Sequence, residues 1–261
     1  MRKLLTLITL ILLLAGCNNE ENTTEIEISP PLLTNIYFMI EEQIGDAWQN
    51  FVQISIDTEG IITDLTLNSI TPLSSSTRRE IAQLEGFDIA FGYNFFEQAL
   101  GVEKNLIGIH RSQLINEMRY QLETSELDFE LSPFIILAAQ ALNNRIVERG
   151  PFIDGVYQFK DIPQNSEFEY FINLYIIHGY IVSAHFSILE SDVFSPPEIS
   201  QNPNWRRQAN LLEKELIATQ DPTSFLFDTD GFATDFPNVF IEIEFFVNLV
   251  TQALANGPLT H

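Results

Sequence analysis

The sequence contains a single cysteine, Cys17, among 261 residues. One thiol cannot form an internal disulfide, and it cannot supply a metal centre or iron–sulfur cluster that needs several cysteines. The four histidines, His110, His178, His185 and His261, do not stand at the short spacings of a metal-binding pair. We therefore expect no metal site.

Basic residues are also scarce. The chain has 13 lysines and arginines against 36 aspartates and glutamates, a formal net charge of −23. A surface of this sign repels nucleic acid and anionic lipid head groups. We expect no nucleic-acid partner, and attachment to a membrane would need an anchor other than charge.

Motifs of common hydrolases and nucleotide-binding enzymes are missing as well. There is no Gly-x-Ser-x-Gly nucleophile motif and no phosphate-binding loop ending in Gly-Lys-Ser/Thr. No side chain is predicted to be catalytic, so an electron carrier or a binding protein is a better expectation than an enzyme.

The first residues have the order of a bacterial secretory signal. Met1–Lys3 is basic, Leu4–Leu13 is almost wholly apolar, and Leu14-Ala15-Gly16-Cys17 follows. This tetrapeptide resembles the lipobox of bacterial lipoproteins, which implies cleavage before Cys17 and acylation of its thiol, for example with palmitate. Removing Arg2 and Lys3 with the signal would change the net charge to −25. We expect a chain anchored by lipid on the extracytoplasmic face of the cell membrane.

The signal peptide itself allows a further interpretation. Residues 8–16, ITLILLLAG, are similar to the apolar peptides that some Gram-positive bacteria release from lipoprotein signals as pheromones. Many lipoprotein signals share this composition, so the role remains an alternative for residues 1–17 alone.

The remaining chain divides into a tether and two predicted domains. Residues 18–31 are polar and acidic and end in a double proline, which is typical of a tether. Hydrophobic residues make up 45% of the sequence, with 21 phenylalanines, enough for packed cores. We predict domains over residues 32–149 and 150–261.

The two predicted domains follow one plan. Residues 51–67 and 170–188 each predict a β-hairpin, with alternating apolar positions on both sides of Gly60 or Gly179. The fold class predicted is α+β, with two tandem repeats, each an antiparallel sheet packed with helices.

Two helices are expected after each hairpin. The first of the two helices spans residues 110–124 in the first repeat and residues 204–220 in the second. The closing helix begins after Ser132-Pro133 in the first repeat and near Pro237 in the second. One face of the 204–220 helix carries four apolar residues at helical spacing: Trp205, Ala209, Leu212 and Leu216. That face should pack on the sheet.

A polar loop, FDTDGFATDF at residues 227–236, separates the helices of the second repeat. A calcium-binding EF-hand is a poor match, because aligning Gly231 with the invariant glycine places Leu226 and Pro237 at ligand positions. Thr234 offers a hydroxyl just ahead of a predicted helix start, whose free N–H groups favour a phosphate.

The second repeat resembles the FMN-binding domain of bacterial surface lipoproteins and membrane redox complexes. The family signature is Asp, two variable residues, Ser or Thr, Gly, Ala, then Ser or Thr. Asp228, Ala233 and Thr234 match it, whereas Gly231 replaces the first hydroxyl residue and Phe232 replaces the glycine. The resemblance implies FMN held by Asp228, Gly231, Ala233 and Thr234, through a phosphoester bond to Thr234 made by a flavin transferase.

Three hypotheses remain open for this loop: covalent FMN, a noncovalent flavin or related ligand, and a relic loop without cofactor. The leading interpretation is a lipoprotein with tandem FMN-binding-like domains that holds flavin and passes electrons to a membrane redox partner. The alternative is a non-redox ligand-binding or interaction lipoprotein that keeps the fold without FMN. Exposure of Phe232 would favour flavin, because a buried ring could occupy its place.

Overall fold

The structure is a computed structural model of the chain. It describes residues 34–45, 47–84, 95–163, 168–189, 203–236 and 239–259. The predicted signal peptide, Cys17 and the tether lie outside the described residues. The chain from Leu33 to His261 forms one compact unit.

The fold class is α+β, as predicted, and its described part contains two three-stranded antiparallel sheets and six α-helices. The first half contains β1 (Asn35–Ile40), β2 (Gln49–Ile56), β3 (Ile62–Ile70), α1 (Arg78–Ala82), α2 (Phe95–Leu106), α3 (Leu114–Thr124) and α4 (Ser132–Asn143). The second half contains β4 (Gly155–Asp161), β5 (Glu169–Ile177), β6 (Tyr180–Leu189), α5 (Pro203–Thr219), a 3-10 turn (Pro222–Ser224) and α6 (Ile243–Asn256).

Both predicted hairpins are present, as β2–β3 and β5–β6. His178 and Gly179 form the turn of the second hairpin with φ of 53° and 79°, the pair of positive angles that a type I′ turn needs. A Cβ at Gly179 would lie 2.5 Å from the Gly150 carbonyl oxygen, so backbone contact also requires glycine here. Two strands that were not predicted, β1 and β4, add a third strand to each hairpin.

Three apolar clusters result from the alternation of side chains along the strands. On one face of the first sheet, Val52 and Ile54 pack with its helices, and Ile172 and Leu174 do the same in the second half. The opposite faces of the two sheets share a third cluster: Phe51, Ile70, Val156, Tyr175 and Val182. The halves therefore bury apolar surface against each other, and the division into domains at 149/150 stays a prediction.

The predicted apolar face of α5 is correct. All four residues of the α5 stripe are buried, from Trp205 at 8% exposure to Leu216 at 0%. In the closing helix, Ile243, Phe246 and Val250 are buried, and Gly257 ends it with φ of 80°. Its expected start near Pro237 is wrong, because α6 begins only at Ile243.

The outer edge of β6 is covered by side-chain amides. Gln220 Oε1 accepts the N–H of Ile181 at 2.7 Å, and Gln220 Nε2 donates to the Ile181 carbonyl at 2.9 Å. Gln43, from the first half, bonds both backbone groups of Ala184 in the same way, at 3.3 and 2.9 Å. Each amide thus replaces one peptide group of a missing neighbouring strand.

A buried ion pair continues this edge. Glu213 Oε1 accepts the N–H of Phe186 at 2.7 Å, and Arg206 Nη1 donates to the Phe186 carbonyl at 2.6 Å. Arg206 also contacts Glu213, whose side chain is 2% exposed. The carboxylate is stable in the core because a charge partner and a backbone donor both compensate its desolvation.

The first half repeats the contact on the edge of β3. Glu103 Oε1 accepts the N–H of Leu67 at 2.6 Å, and Arg79 pairs with Glu103 at 3.1 Å. Leu67 lies seven residues after Gly60, as Phe186 does after Gly179. The helices that occupy equivalent positions in the two halves are therefore α2 and α5, which carry these glutamates. The predicted equivalence of residues 110–124 with residues 204–220 is wrong.

The expected helix start at His110 is also wrong. His110 forms an isolated antiparallel bridge with Ile61, and the N–H of Arg111 donates to the Gly60 carbonyl at 2.8 Å. Backbone pairing with the edge of β3 competes with helix formation over these residues, so α3 begins at Leu114.

We expect Glu213→Ala to destabilise the protein strongly, because it leaves the Phe186 N–H without its acceptor and Arg206 without its charge partner. The cost should be about 3 to 5 kcal/mol in free energy of unfolding, measured by urea denaturation. Glu123→Ala, at an exposed position of α3, serves as control and should change stability by less than about 0.5 kcal/mol. Equal effects of the two substitutions would contradict a structural role for the ion pair.

His185 predicts a pH dependence of stability. Burial at 4% exposure, with the Arg206 charge nearby, lowers the pKa of its imidazole from 6.5 to about 3. Between pH 6.5 and 3, His185 is therefore protonated in the unfolded chain but neutral in the native protein. The free energy of unfolding falls as the pH drops through this range.

Within that pH range, His185 should lower the free energy of unfolding by about 1.4 kcal/mol for each pH unit of acidification. In His185→Gln the slope of unfolding free energy against pH should be smaller by that amount, measured by urea denaturation from pH 7 to 4. Parallel slopes in the two proteins would show that His185 titrates similarly in the folded and unfolded states.

Candidate functional site

The predicted signature loop is held at both ends by aromatic contacts. The Phe225 ring is 4% exposed, stacks on Phe236 at 6.0 Å between ring centroids and meets Phe246 of α6 at 5.5 Å. These contacts anchor the loop to the second core, and most residues between them are exposed, although Gly231 is buried.

Asp228 organises the tip of the loop. Its Oδ1 accepts the N–H groups of Asp230 and Phe232, each at 3.0 Å, and the Gly231 N–H donates to its carbonyl at 3.1 Å. An aspartate that bonds the backbone of the residues following it stabilises a turn. One oxygen of the carboxylate is thus used within the loop.

Gly231 connects the loop to α6. Its carbonyl accepts the N–H groups of Ile243 and Glu244 at 2.8 and 3.2 Å, so it caps the first turn of the helix. Gly231 has φ of +83°, and a Cβ there would lie 3.0 Å from Glu242 Cγ. Positive φ and the close approach of α6 both require glycine.

A phosphate group does not fit at this helix N-terminus. A phosphate would need the free N–H groups of the first turn, and the Gly231 carbonyl already accepts two of them. Glu242 occupies the N-cap position and Glu244 the first turn, where their charges would repel an anion. The expectation that Thr234 stands just ahead of free helical N–H groups is therefore wrong.

The other signature residues have different environments. The Thr234 side chain is exposed, and its N–H donates to the Leu226 carbonyl at 3.1 Å. Ala233 packs partly against the second core, and Phe232 is 42% exposed. The structure thus brings Asp228, Gly231, Ala233 and Thr234 together in one turn, whose backbone bonds are mostly internal.

Metal binding finds no support within the described ranges. They contain no group of three or more His, Cys, Asp or Glu side chains arranged to hold a metal ion. The three described histidines lie apart: His110 contacts Ser112, His178 contacts the Val147 carbonyl and His185 packs beside Phe171.

A groove that was not predicted from the sequence lies beside β1. Its volume is about 580 Å³, and it runs between the β1–β2 connection and helix α4. Its walls include Ile44, Trp48 and Ile136, which are 76%, 39% and 59% exposed. No sequence motif predicts this groove, because its walls come from segments that lie nearly a hundred residues apart in the sequence.

A second, smaller groove of about 360 Å³ lies on the other side of the same connection. Glu42 and Gln43 face Asn210, Glu213 and Lys214 of α5 across it. Lys214 pairs with Glu42 at 2.8 Å, which closes part of the space with a salt bridge. The Glu213 carboxylate already bonds Phe186 and Arg206, so it belongs to the sheet edge.

Comparison with known proteins identifies no family. No family model and no curated protein matches the chain. A solution NMR structure of a protein from Clostridium thermocellum, a target of the Northeast Structural Genomics Consortium, is similar over 41% of this chain and 95% of its own, at 25% identity and a TM-score of 0.34. A likeness at that score assigns neither fold nor function.

We expect Gly231→Ala to destabilise the protein by about 1 to 2 kcal/mol, because alanine is strained at positive φ and its Cβ would press on Glu242. Gly101→Ala is the matched control, since a Cβ at this exposed position of α2 meets nothing within 4 Å. The control should stabilise by up to about 1 kcal/mol through helix propensity. Thermal denaturation of both variants compares the signs, and an unchanged Gly231→Ala would contradict the capping role.

Proposed function

We propose that the protein is a lipid-anchored, extracytoplasmic binding module that keeps an FMN-binding-like fold without using FMN. The observation that carries this proposal is the Gly231 carbonyl, which accepts two of the helical N–H groups that a phosphate would use. The signature loop then acts as a structural cap of α6, and binding takes place elsewhere on the chain.

Attachment to the membrane is proposed through Cys17. The support is the order of basic, apolar and Leu-Ala-Gly-Cys segments at the start of the chain. Within the described residues, no helix has the length and apolar character required to cross a bilayer. An acyl anchor would leave the acidic domains in the extracytoplasmic space, where they can meet a partner.

Covalent flavin at Thr234 is the second candidate. Its support is the exposure of both Thr234 and Phe232: a transferase could reach the hydroxyl, and the phenyl ring does not fill a buried flavin site. In that case flavin would supply the redox chemistry and a membrane redox partner would receive the electrons. Five acidic residues near the turn disfavour the phosphate: Asp228, Asp230, Asp235, Glu242 and Glu244.

The two candidates differ in the intact mass of the protein. We expect the full chain, produced with and without a co-expressed flavin transferase, to have the same mass and no visible flavin absorbance. Thr234→Ala and Thr229→Ala are the matched variants on the same loop. A transferase-dependent gain of one FMN that Thr234→Ala loses and Thr229→Ala keeps would overturn the proposal and establish a covalent flavoprotein.

A further inference from the structure

The outer edge of β1 is open over part of its length. β1 is the outer strand of its sheet, and the Ile36 carbonyl points outward, where it accepts the N–H of Val147 at 3.0 Å. Because orientation alternates along a strand, the backbone groups of Phe38 and Ile40 point the same way. In the part of the chain that the structure describes, no hydrogen bond is made to these outward groups.

This open segment differs from the other sheet edges. Side chains such as Gln220 and Glu213 cover β6, and Glu103 covers β3. β4 bonds Leu259 through Val156 and carries the charged Lys160 on the rest of its edge, a feature that discourages pairing with another strand. Phe38 and Ile40, whose backbone groups point away from the sheet, have uncharged side chains.

The groove described above begins at this edge. Met39 and Ile40 of β1 line one side of it, and Pro133, Ile136 and Leu137 of α4 line the other. In a strand added to β1, every second side chain would point towards α4 and enter the groove. Main-chain bonds would then supply affinity, and the groove would select the side chains.

Charge determines which kind of strand fits. The groove lining includes Glu41 and Glu42 and contains no lysine or arginine. Glu42 pairs with Lys214, yet its side chain remains 75% exposed. The partly exposed Trp48 indole offers a further favourable contact to a cation. A second copy of this chain would bring a net charge of −23 to the same place, which opposes self-association.

We propose that the β1 groove binds an extended segment of a partner protein that alternates apolar with basic residues. The segment adds a fourth strand beside Phe38 and Ile40, inserts apolar side chains next to Ile136 and places its cations near Glu42 and Trp48. This inference rests on the binding role proposed above and specifies its surface.

The test pans a random dodecapeptide display library on the immobilised full chain. The enriched peptides should alternate apolar with lysine or arginine, and binding of the synthetic peptides is then measured by calorimetry. Ile136→Glu introduces a charge into the groove and should weaken binding at least tenfold. Ile153→Glu is the control, because Ile153 is similarly exposed, at 66%, and lies outside the groove lining.

Strand addition has its own readout in amide hydrogen exchange. Bound peptide should slow exchange at Phe38 and Ile40, since their N–H groups become hydrogen-bonded. A peptide that occupies only the groove would leave these rates unchanged and would overturn the strand model. Glu42→Lys should weaken binding of the basic peptides at least tenfold.

Other outcomes overturn the proposal outright. These are the absence of enriched peptides, enrichment of acidic ones, equal binding to the Ile136→Glu and Ile153→Glu variants, or a chain dimer in sedimentation that Ile136→Glu dissociates. The flavin mass measurement is independent of all four. If the protein carries no FMN and enriches no peptide, the β1 groove is rejected as the binding surface. The proposed binding role would then have to be located elsewhere on the chain.

Discussion

The backbone groups on the outer edges of β3 and β6 have to be satisfied, and much of the structure is arranged around that constraint. Each of these strands has a neighbour on one side only. A buried, unbonded peptide group costs free energy comparable to a lost hydrogen bond. Glutamates on α2 and α5 reach the N–H groups of Leu67 and Phe186, and this contact joins each helix to the edge of its sheet. Arginines follow because a buried carboxylate needs a charge partner.

The same constraint connects the two halves. Gln43 belongs to the β1–β2 connection of the first half, yet its amide bonds Ala184 on the edge of β6. Asn173 donates in the opposite direction, to the carbonyls of Pro72 and Ser74 at 2.8 and 3.0 Å. These directional bonds join the same two halves that share the third apolar cluster. They limit the freedom of the halves to slide or separate independently.

Satisfying backbone groups also explains the loop that carries the flavin-like signature. The first turn of α6 has N–H groups without helical partners, and the Gly231 carbonyl accepts two of them. In a phosphate-binding loop those donors would face the ligand. Here the turn held by Asp228 delivers a carbonyl to the same position. The loop that carries the flavin-like pattern therefore also caps the helix.

Local patterns in the sequence determined the hairpins, the buried stripe of α5 and the α+β class. Alternation, helical periodicity and glycine conformations each act within a few neighbouring residues, so they can be read directly. The expectation of a lipid anchor at Cys17 likewise rests on a contiguous pattern, formed by Cys17 and the residues before it. The start of α3 at Leu114, the start of α6 at Ile243 and the occupied N–H groups beside Gly231 depended on contacts with distant segments. The β1 groove likewise exists only because α4 folds back beside a strand nearly a hundred residues earlier, which no local pattern records.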